Sequence, residues 1–211
     1  MIRIVHGLAV PAAAIVFLLS GPPGAAGATI TLSDVTDGFA ISSDNFQTAS
    51  PPQIGVPFLQ VTKFGTNEAR AALEFDLSSL PASAVVTSAS LELSFIVCDS
   101  LIGVNGATGD GLITPADFTF PAQIATFDPN PGLNTVDVTS FIAGMVSTHF
   151  VVFQLRELAE DTNTIVGGAG LPPFAPPGLV ITTVSTPAPT ALLLVGIGLA
   201  TMGAIPGRRR D

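Results

Sequence analysis

Hydrophobic and polar residues alternate with a period of two through the middle of the chain. In ASLELSFIV, Ala89, Leu91, Leu93, Phe95 and Val97 share one face, and Ser90, Glu92 and Ser94 share the other. In RAALEFDL, Leu73, Phe75 and Leu77 oppose Ala72, Glu74 and Asp76; in FVVFQLRE, Val151, Phe153 and Leu155 oppose Gln154 and Arg156. Successive side chains of an extended strand point to opposite sides, so the pattern predicts antiparallel strands with one buried and one wet face. Shorter runs of the same kind are ATITL, FAIS, PFLQVTKF, QIATF, TVDVT and GLVITTV. Turn formers separate them: Ser33-Asp34, Pro51-Pro52, the run from Asp128 to Gly132, Gly167-Gly168 and Pro172-Pro173.

One segment has helical spacing instead. Phe141, Ile142, Met145 and Val146 share a face, with Thr139 or Ser140 as the cap, which predicts about two turns closing one end of the fold. Nine short strands with regular turn signals predict an all-β antiparallel β-sandwich or jelly roll with that one short helix. The region from Gly167 to Pro177 is expected to be a long loop. A single domain spans residues 29–184, a length that buries roughly two-thirds of its unfolded surface in one core.

Both ends depart from this pattern. Residues 1–28 carry Arg3, then an apolar run over Ala12 to Leu19, then small residues ending Ala26-Gly27-Ala28. That order is the layout of a secretory signal peptide with cleavage after Ala28, so the mature chain is expected to begin at Thr29 outside the cytoplasm. Residues 185–211 comprise a polar linker with prolines (185–190), an uncharged apolar stretch (191–205) and a basic end (206–211) containing Arg208, Arg209 and Arg210. As a helix the fifteen apolar residues reach about 22 Å, short of a bilayer core of about 30 Å. The arginines would hold its end on the cytoplasmic side. A short transmembrane helix after a cleavable signal means export followed by a pause in the membrane, with a permanent anchor as the alternative.

Charge removes one class of function. From Thr29 to Val184 only Lys63, Arg70 and Arg156 are basic against fifteen acids, which leaves a formal charge of −12. Nucleic-acid binding needs the opposite sign to displace counterions from phosphates, so that partner is excluded. Cys98 is the only cysteine, so no internal disulfide forms, and its place after Phe95-Ile96-Val97 is that of a small hydrophobe at a strand end.

Candidate chemistry is sparse. In GDGLITPADF, Asp110-Gly111, Ile113 and Asp117 match the second half of a calcium loop, with Asp110 and Asp117 as the metal ligands. Gly106 and Thr108 stand where two further acidic ligands belong, so an ordinary polar loop is the favoured interpretation and weak calcium binding the alternative. No other cofactor is expected. His149 is the only histidine of the body, and no nucleophile elbow or zinc-binding spacing accompanies it, so the protein is expected not to be an enzyme. Glu74, Asp76 and Glu92 fall on the wet face of two strands, and Glu157, Glu160 and Asp161 on an exposed acidic turn. Trp and Tyr, the usual stacking partners of sugar rings, are both absent; Phe39, Phe46, Phe58 and Phe64 leave room for a groove built on phenylalanine.

Two resemblances sharpen the picture. The run EARAALEFDLSSLPASAVVTSASLELSFIV, followed in order by VDVTSFIAGMV, FVVFQLRE and PPGLVITTV, resembles the DNRLRE family of disaggregatase-related domains, which are also classed among carbohydrate-binding modules. That resemblance implies a jelly-roll-like sandwich on a secreted or surface protein, linked in some members to polysaccharide. The tail is similar to the PEP-CTERM sorting signal: Pro187-Ala188-Pro189 occupies the motif position, with alanine in place of its central glutamate, followed by the apolar helix and the cluster Arg208 to Arg210. This second resemblance implies an exosortase and the export machinery as partners, a transient membrane contact, cleavage near Pro187 to Pro189, and association with exopolysaccharide. The function expected is therefore that of an exported, non-enzymatic protein of the bacterial cell surface or extracellular matrix. The alternative is a carbohydrate-binding module that recognises matrix polysaccharide.

Overall fold

The computed structural model describes residues 27–48, 50–81, 83–119, 122–168 and 174–185. The predicted signal segment through Ala26, the sorting tail from residue 186 and the centre of the Gly/Pro-rich loop lie outside these residues. Among the described residues there are twelve strands and one α-helix, joined as β1 (Gly27–Ser33), β2 (Thr36–Ser42), β3 (Gln53–Ile54), β4 (Phe58–Phe64), β5 (Asn67–Asp76), β6 (Ala84–Val97), β7 (Ile102–Thr108), β8 (Gln123–Phe127), β9 (Gly132–Asp137), α1 (Thr139–Met145), β10 (Phe150–Glu157), β11 (Thr162–Gly167) and β12 (Gly178–Ser185). Every pairing is antiparallel. The bonded order runs β1-β12-β6-β11-β4-β5-β10-β7-β8, with β2 on β5, β3 on β2 and β9 on β6.

This continuous sheet folds over on itself into two layers. Phe95 of β6 and Phe127 of β8 are far apart in the bonded order, yet their rings meet edge to face at 5.6 Å. Between the layers lie the positions that the two-residue period assigned to the core: Leu73 and Phe75 of β5, Leu91, Leu93 and Phe95 of β6, and Val151, Phe153 and Leu155 of β10, all fully buried. Burying each such side chain stabilises the fold by about 1.5–3 kcal/mol. Phe153 also touches Phe75 (5.8 Å) and Phe141 of α1 (5.5 Å), both edge to face.

Helix α1 packs on β6, with Ile142 buried and Phe141 and Met145 partly buried against the core. Its start differs from the expectation. Thr139 is the first helical residue rather than the cap, and Asp137 accepts both the Thr139 N–H (2.9 Å) and its hydroxyl (2.6 Å). The Thr139 hydroxyl oxygen in turn accepts the Ala89 N–H, at 2.9 Å, tying the helix to β6.

Three strands were not foreseen. β7, IGVNGAT, carries two glycines and an asparagine, yet it is bonded on both sides, to β10 and β8. β11, TNTIVG, joins β4 to the end of β6, and β3 is a two-residue edge on β2. Gly106 is buried in β7 because a side chain there would collide with the Phe141 ring, 2.8 Å from the place its Cβ would take. Cys98 follows β6 and packs half-buried on the core, as expected of a small hydrophobe. Burial, then the neighbouring Asp99, Glu157 and Asp128 carboxylates, push its thiol pKa up.

Candidate functional site

The side of β5 and β10 that alternation assigned to water is covered. Glu74 and Gln154 are fully buried, Ala72 and Val152 with them. Two segments do the covering. Residues 43–48 bring Phe46 down on the sheet, and residues 109–119 bring Ile113 and Phe118, making a second small core with Ala40, Ala72 and Val152. Phe46 and Phe118 stack with centroids 6.0 Å apart.

The first cover is held by a tight polar turn. Asn45 and Phe46 both have left-handed backbone conformations, with φ of 56° and 58°, a strained choice for residues with a Cβ. Ser42 offsets the strain: its Oγ accepts the Phe46 N–H (2.9 Å) and donates to Asp44 Oδ1 (2.6 Å). Asp44 Oδ2 accepts the N–H and hydroxyl of Thr48, and the Ser42 bond followed by these holds the Asp44 carboxyl below its ordinary range.

The second cover contains both predicted metal ligands. Asp110 is exposed and its Oδ1 accepts the Leu112 N–H at 3.0 Å; Gly111 beside it takes φ 91°, a conformation that glycine adopts freely. Asp117 Oδ2 accepts the Thr114 N–H (2.6 Å) and hydroxyl (2.9 Å), closing the single 3₁₀ turn Pro115–Phe118. Each carboxylate thus bonds within its own loop. Gly106 and Thr108, the first ligand positions of a calcium loop, belong to β7. Among the described residues no group of three or more His, Cys, Asp or Glu side chains is placed to hold a metal ion.

Glu74, expected on a wet face, lies under this loop. Its Oε1 accepts the Gly111 N–H at 2.7 Å, while Oε2 is buried without a partner. A Cβ on Gly109 would fall 2.0 Å from Oε1, so a side chain there would displace the Glu74 carboxylate. Burial, reinforced by the charges of Asp110 and Asp117, pushes the Glu74 pKa up. Asp34, in the β1–β2 turn, is pushed up to about 6 by burial and by Asp37.

Both groups hold their proton more tightly in the folded state, so each weakens the fold as pH rises from its ordinary pKa through the raised one. For Asp34 that window runs from 3.8 to about 6. Glu74→Gln and Asp34→Asn are therefore expected to melt a few degrees above the parent at pH 7 and level with it near pH 4, read by thermal denaturation across pH. Equal melting temperatures at both pH values would refute the assignment.

No protein-family model matches the sequence, and no curated protein matches it. The surface itself therefore carries the functional reading.

Three places stand out. The first is a cleft of about 250 Å³ lined by Asn45, Lys63, Glu68, Arg70, Arg156 and Glu160, among others. It gathers all three cations of the body. Arg70 clasps Glu68 with two bonds, Nε to Oε1 at 2.8 Å and Nη2 to Oε2 at 2.7 Å. It also donates to the Phe118 carbonyl (2.6 Å) and lies 4.5 Å over the Phe46 ring. Lys63 pairs with Glu160 at 2.8 Å, which holds the Glu160 carboxyl low. Of the acidic turn, Glu160 and Asp161 are exposed as expected, but Glu157 is not; Ser100 donates to its Oε2 and its Oε1 is buried without a partner.

The second place is a groove of about 600 Å³ along β6 and β9, lined by Thr87, Ser88, Ser90, Thr135, Asp137 and Ser140, among others. The third is a cleft of about 350 Å³ beside the exposed His149, lined otherwise by Leu77, Ser78, Leu80, Val146, Ser147 and Thr148, with no carboxylate among them. Of the phenylalanines open to a sugar-stacking role, Phe39 and Phe46 are buried, whereas Phe58 (41%) and Phe64 (46%) are exposed on β4. No sequence signal distinguished the three-cation cleft, because Lys63, Arg70 and Arg156 come from two distant stretches and meet only through the sheet.

Proposed function

We propose that this is an exported, non-enzymatic protein of the bacterial cell surface or extracellular matrix, with a DNRLRE-like jelly-roll body and a PEP-CTERM-like tail processed by an exosortase. The observation that carries this reading is that the two ends of the described body lie side by side. β1 begins at Gly27 and β12 ends at Ser185, and Gly27 pairs with Val184, so both greasy ends leave the same corner of the sheet. Cleavage after Ala28 would take only the first two residues of β1, and cleavage near Pro187 to Pro189 would take none of β12. The body can thus shed both transport segments and keep its core. Among the described residues no helix is long and apolar enough to cross a membrane; the apolar segment 191–205 lies outside them.

The test is the intact mass of the protein recovered from its own cells. The expected chain begins at Thr29 and ends within the Pro187 to Pro189 region. A chain that keeps residues 1–28, or runs intact to Asp211, defeats the proposal.

A second reading, that of a module recognising matrix polysaccharide, is favoured by the hydroxyl-lined groove over β6 and β9 and by the exposed Phe58 and Phe64. Hydroxyl and carboxylate side chains on a flat sheet present the acceptors and donors a glycan chain needs. Retention of the full chain on exopolysaccharide from the source culture, lost on Asp137→Ala with Ser90→Ala, would support it. Undiminished retention would count against the groove.

A further inference from the structure

Arg156 is a cation without an anion. The chain from Thr29 to Val184 has fifteen acids for three bases, so every base ought to find a carboxylate. Lys63 and Arg70 do. Among the described residues the Arg156 side chain makes no hydrogen bond and no ion pair, and its Nε is buried with no partner. A buried polar nitrogen left unpaired costs stability, so native proteins seldom leave one without a reason. The β10–β5 register ends where Leu155 pairs with Ala71, and the next basic residue of β5, Arg70, lines the same cleft as Arg156, a like charge. The fold holds this guanidinium at the wall of a cleft without a side-chain hydrogen bond or ion pair from the described residues.

We propose that this cleft binds the carboxylate of a hydroxyl-rich monoanion, with Arg156 as the carboxylate-binding residue. The chemistry of the walls selects that class. Arg156 offers the planar fork that matches a carboxylate in two parallel bonds. The remaining lining is rich in acceptors: Glu68 and Glu160 are taken by Arg70 and Lys63, so one side-chain cation is left over for a single negative charge, and the three carboxylates, Glu157 included, disfavour a second such as that of phosphate. Those acceptors suit a ligand that brings hydroxyl donors along with its single charge. A volume of about 250 Å³ admits one sugar-sized ring. A free polyhydroxy acid and the uronate unit of a glycan share this chemistry. The choice of a glycan source rests on the surface reading above; the site does not.

The test uses the full chain in detergent micelles and follows the Arg156 Nε–H resonance during titration. D-Gluconate and tri-galacturonate are the probes, with acetate, D-galactose and inorganic phosphate as controls. Both probes are expected to shift the resonance, and Arg156→Gln to weaken binding at least about tenfold, the loss of a two-bond charged contact. Tighter binding of tri-galacturonate would identify a glycan unit as the ligand, and tighter binding of gluconate a free acid. Arg156→Lys, which keeps the charge without the fork, is expected to lose most of the affinity too. Because Arg156 is unpaired, Arg156→Gln is also expected to leave the melting temperature unchanged or raised; a fall would mark a structural role and overturn the proposal. So would binding that survives Arg156→Gln, acetate or phosphate binding as tightly as the probes, or no shift up to about 10 mM, weaker than the millimolar end of the affinity scale. The mass measurement on the tail is independent of all these outcomes.

Discussion

Replacing Phe153 by alanine is expected to cost about 3–5 kcal/mol, the range for emptying a large aromatic site in a packed core. Phe153 has no exposed surface and sits between Phe75 of its own layer and Phe141 of the helix, in edge-to-face contact with both. Neither neighbour can collapse into the gap, since Phe75 is fixed by the β5–β10 register and Phe141 by the helix that Thr139 ties to β6. For a domain of this size a loss of that order lowers the melting temperature by about 10 °C. Phe153→Leu should recover most of it, because volume is largely kept. Thermal and urea denaturation of the three proteins decide the matter. A loss under about 1 kcal/mol would mean that the two layers do not meet at this ring.

The second large effect belongs to Arg70. Arg70→Ala removes both bonds to Glu68, the donor to the Phe118 carbonyl and the cation over Phe46. Glu68 is 3% exposed, so its charge is left buried without the partner that clasps it, which costs about 3–5 kcal/mol when one member of a buried pair is deleted. The damage should spread to segments 43–48 and 109–119, because Arg70 fastens both: Phe46 lies under its guanidinium and Phe118 accepts from it. Faster amide exchange at Leu112 and Phe46 is the expected signature. The double variant Glu68→Met with Arg70→Met should regain most of the stability, since well-packed apolar residues often match a buried pair. If the double variant is as unstable as Arg70→Ala, the clasp acts through something other than charge.

The strands that alternation marked are where they were placed. QIATF is β8 residue for residue, and FVVFQLRE is β10. Core positions such as Leu91, Leu93 and Phe95 were legible because a period of two in apolar residues has one geometric meaning. The missed strands lacked that signal. IGVNGAT has weak strand formers at Gly103, Asn105 and Gly106, and becomes β7 because β10 and β8 offer it partners on both edges. Gly103 and Gly106 are small for a tertiary reason, with Leu158 and Gln123 crowding one and Phe141 the other.

The wet face misled for a related reason. Alternation distinguishes two sides of a strand and cannot say what lies over the second. Glu74 and Gln154 were assigned to water, as polar residues usually are, and Ala72 and Val152 gave little contrast. Their cover comes from two loops, whose Phe46, Ile113 and Phe118 stand in turns without periodicity. Asp110 and Asp117 stand seven residues apart in the sequence; folded, one closes a turn at Gly111 and the other a turn at Thr114, and the carboxylate between the two is Glu74, from thirty-odd residues earlier.

Strand phase, the main core, the short helix and the acidic balance were thus settled by near neighbours along the chain. Such features depend only on how side chains one or two steps apart project from a backbone. The second core, the burial of Glu74 and the unpaired Arg156 among the only cations of the body were decided when β5, β10 and two loops closed over one another. Pairing of charges and exclusion of water depend on groups brought within a few ångströms by that closure, and no local pattern records which groups those will be.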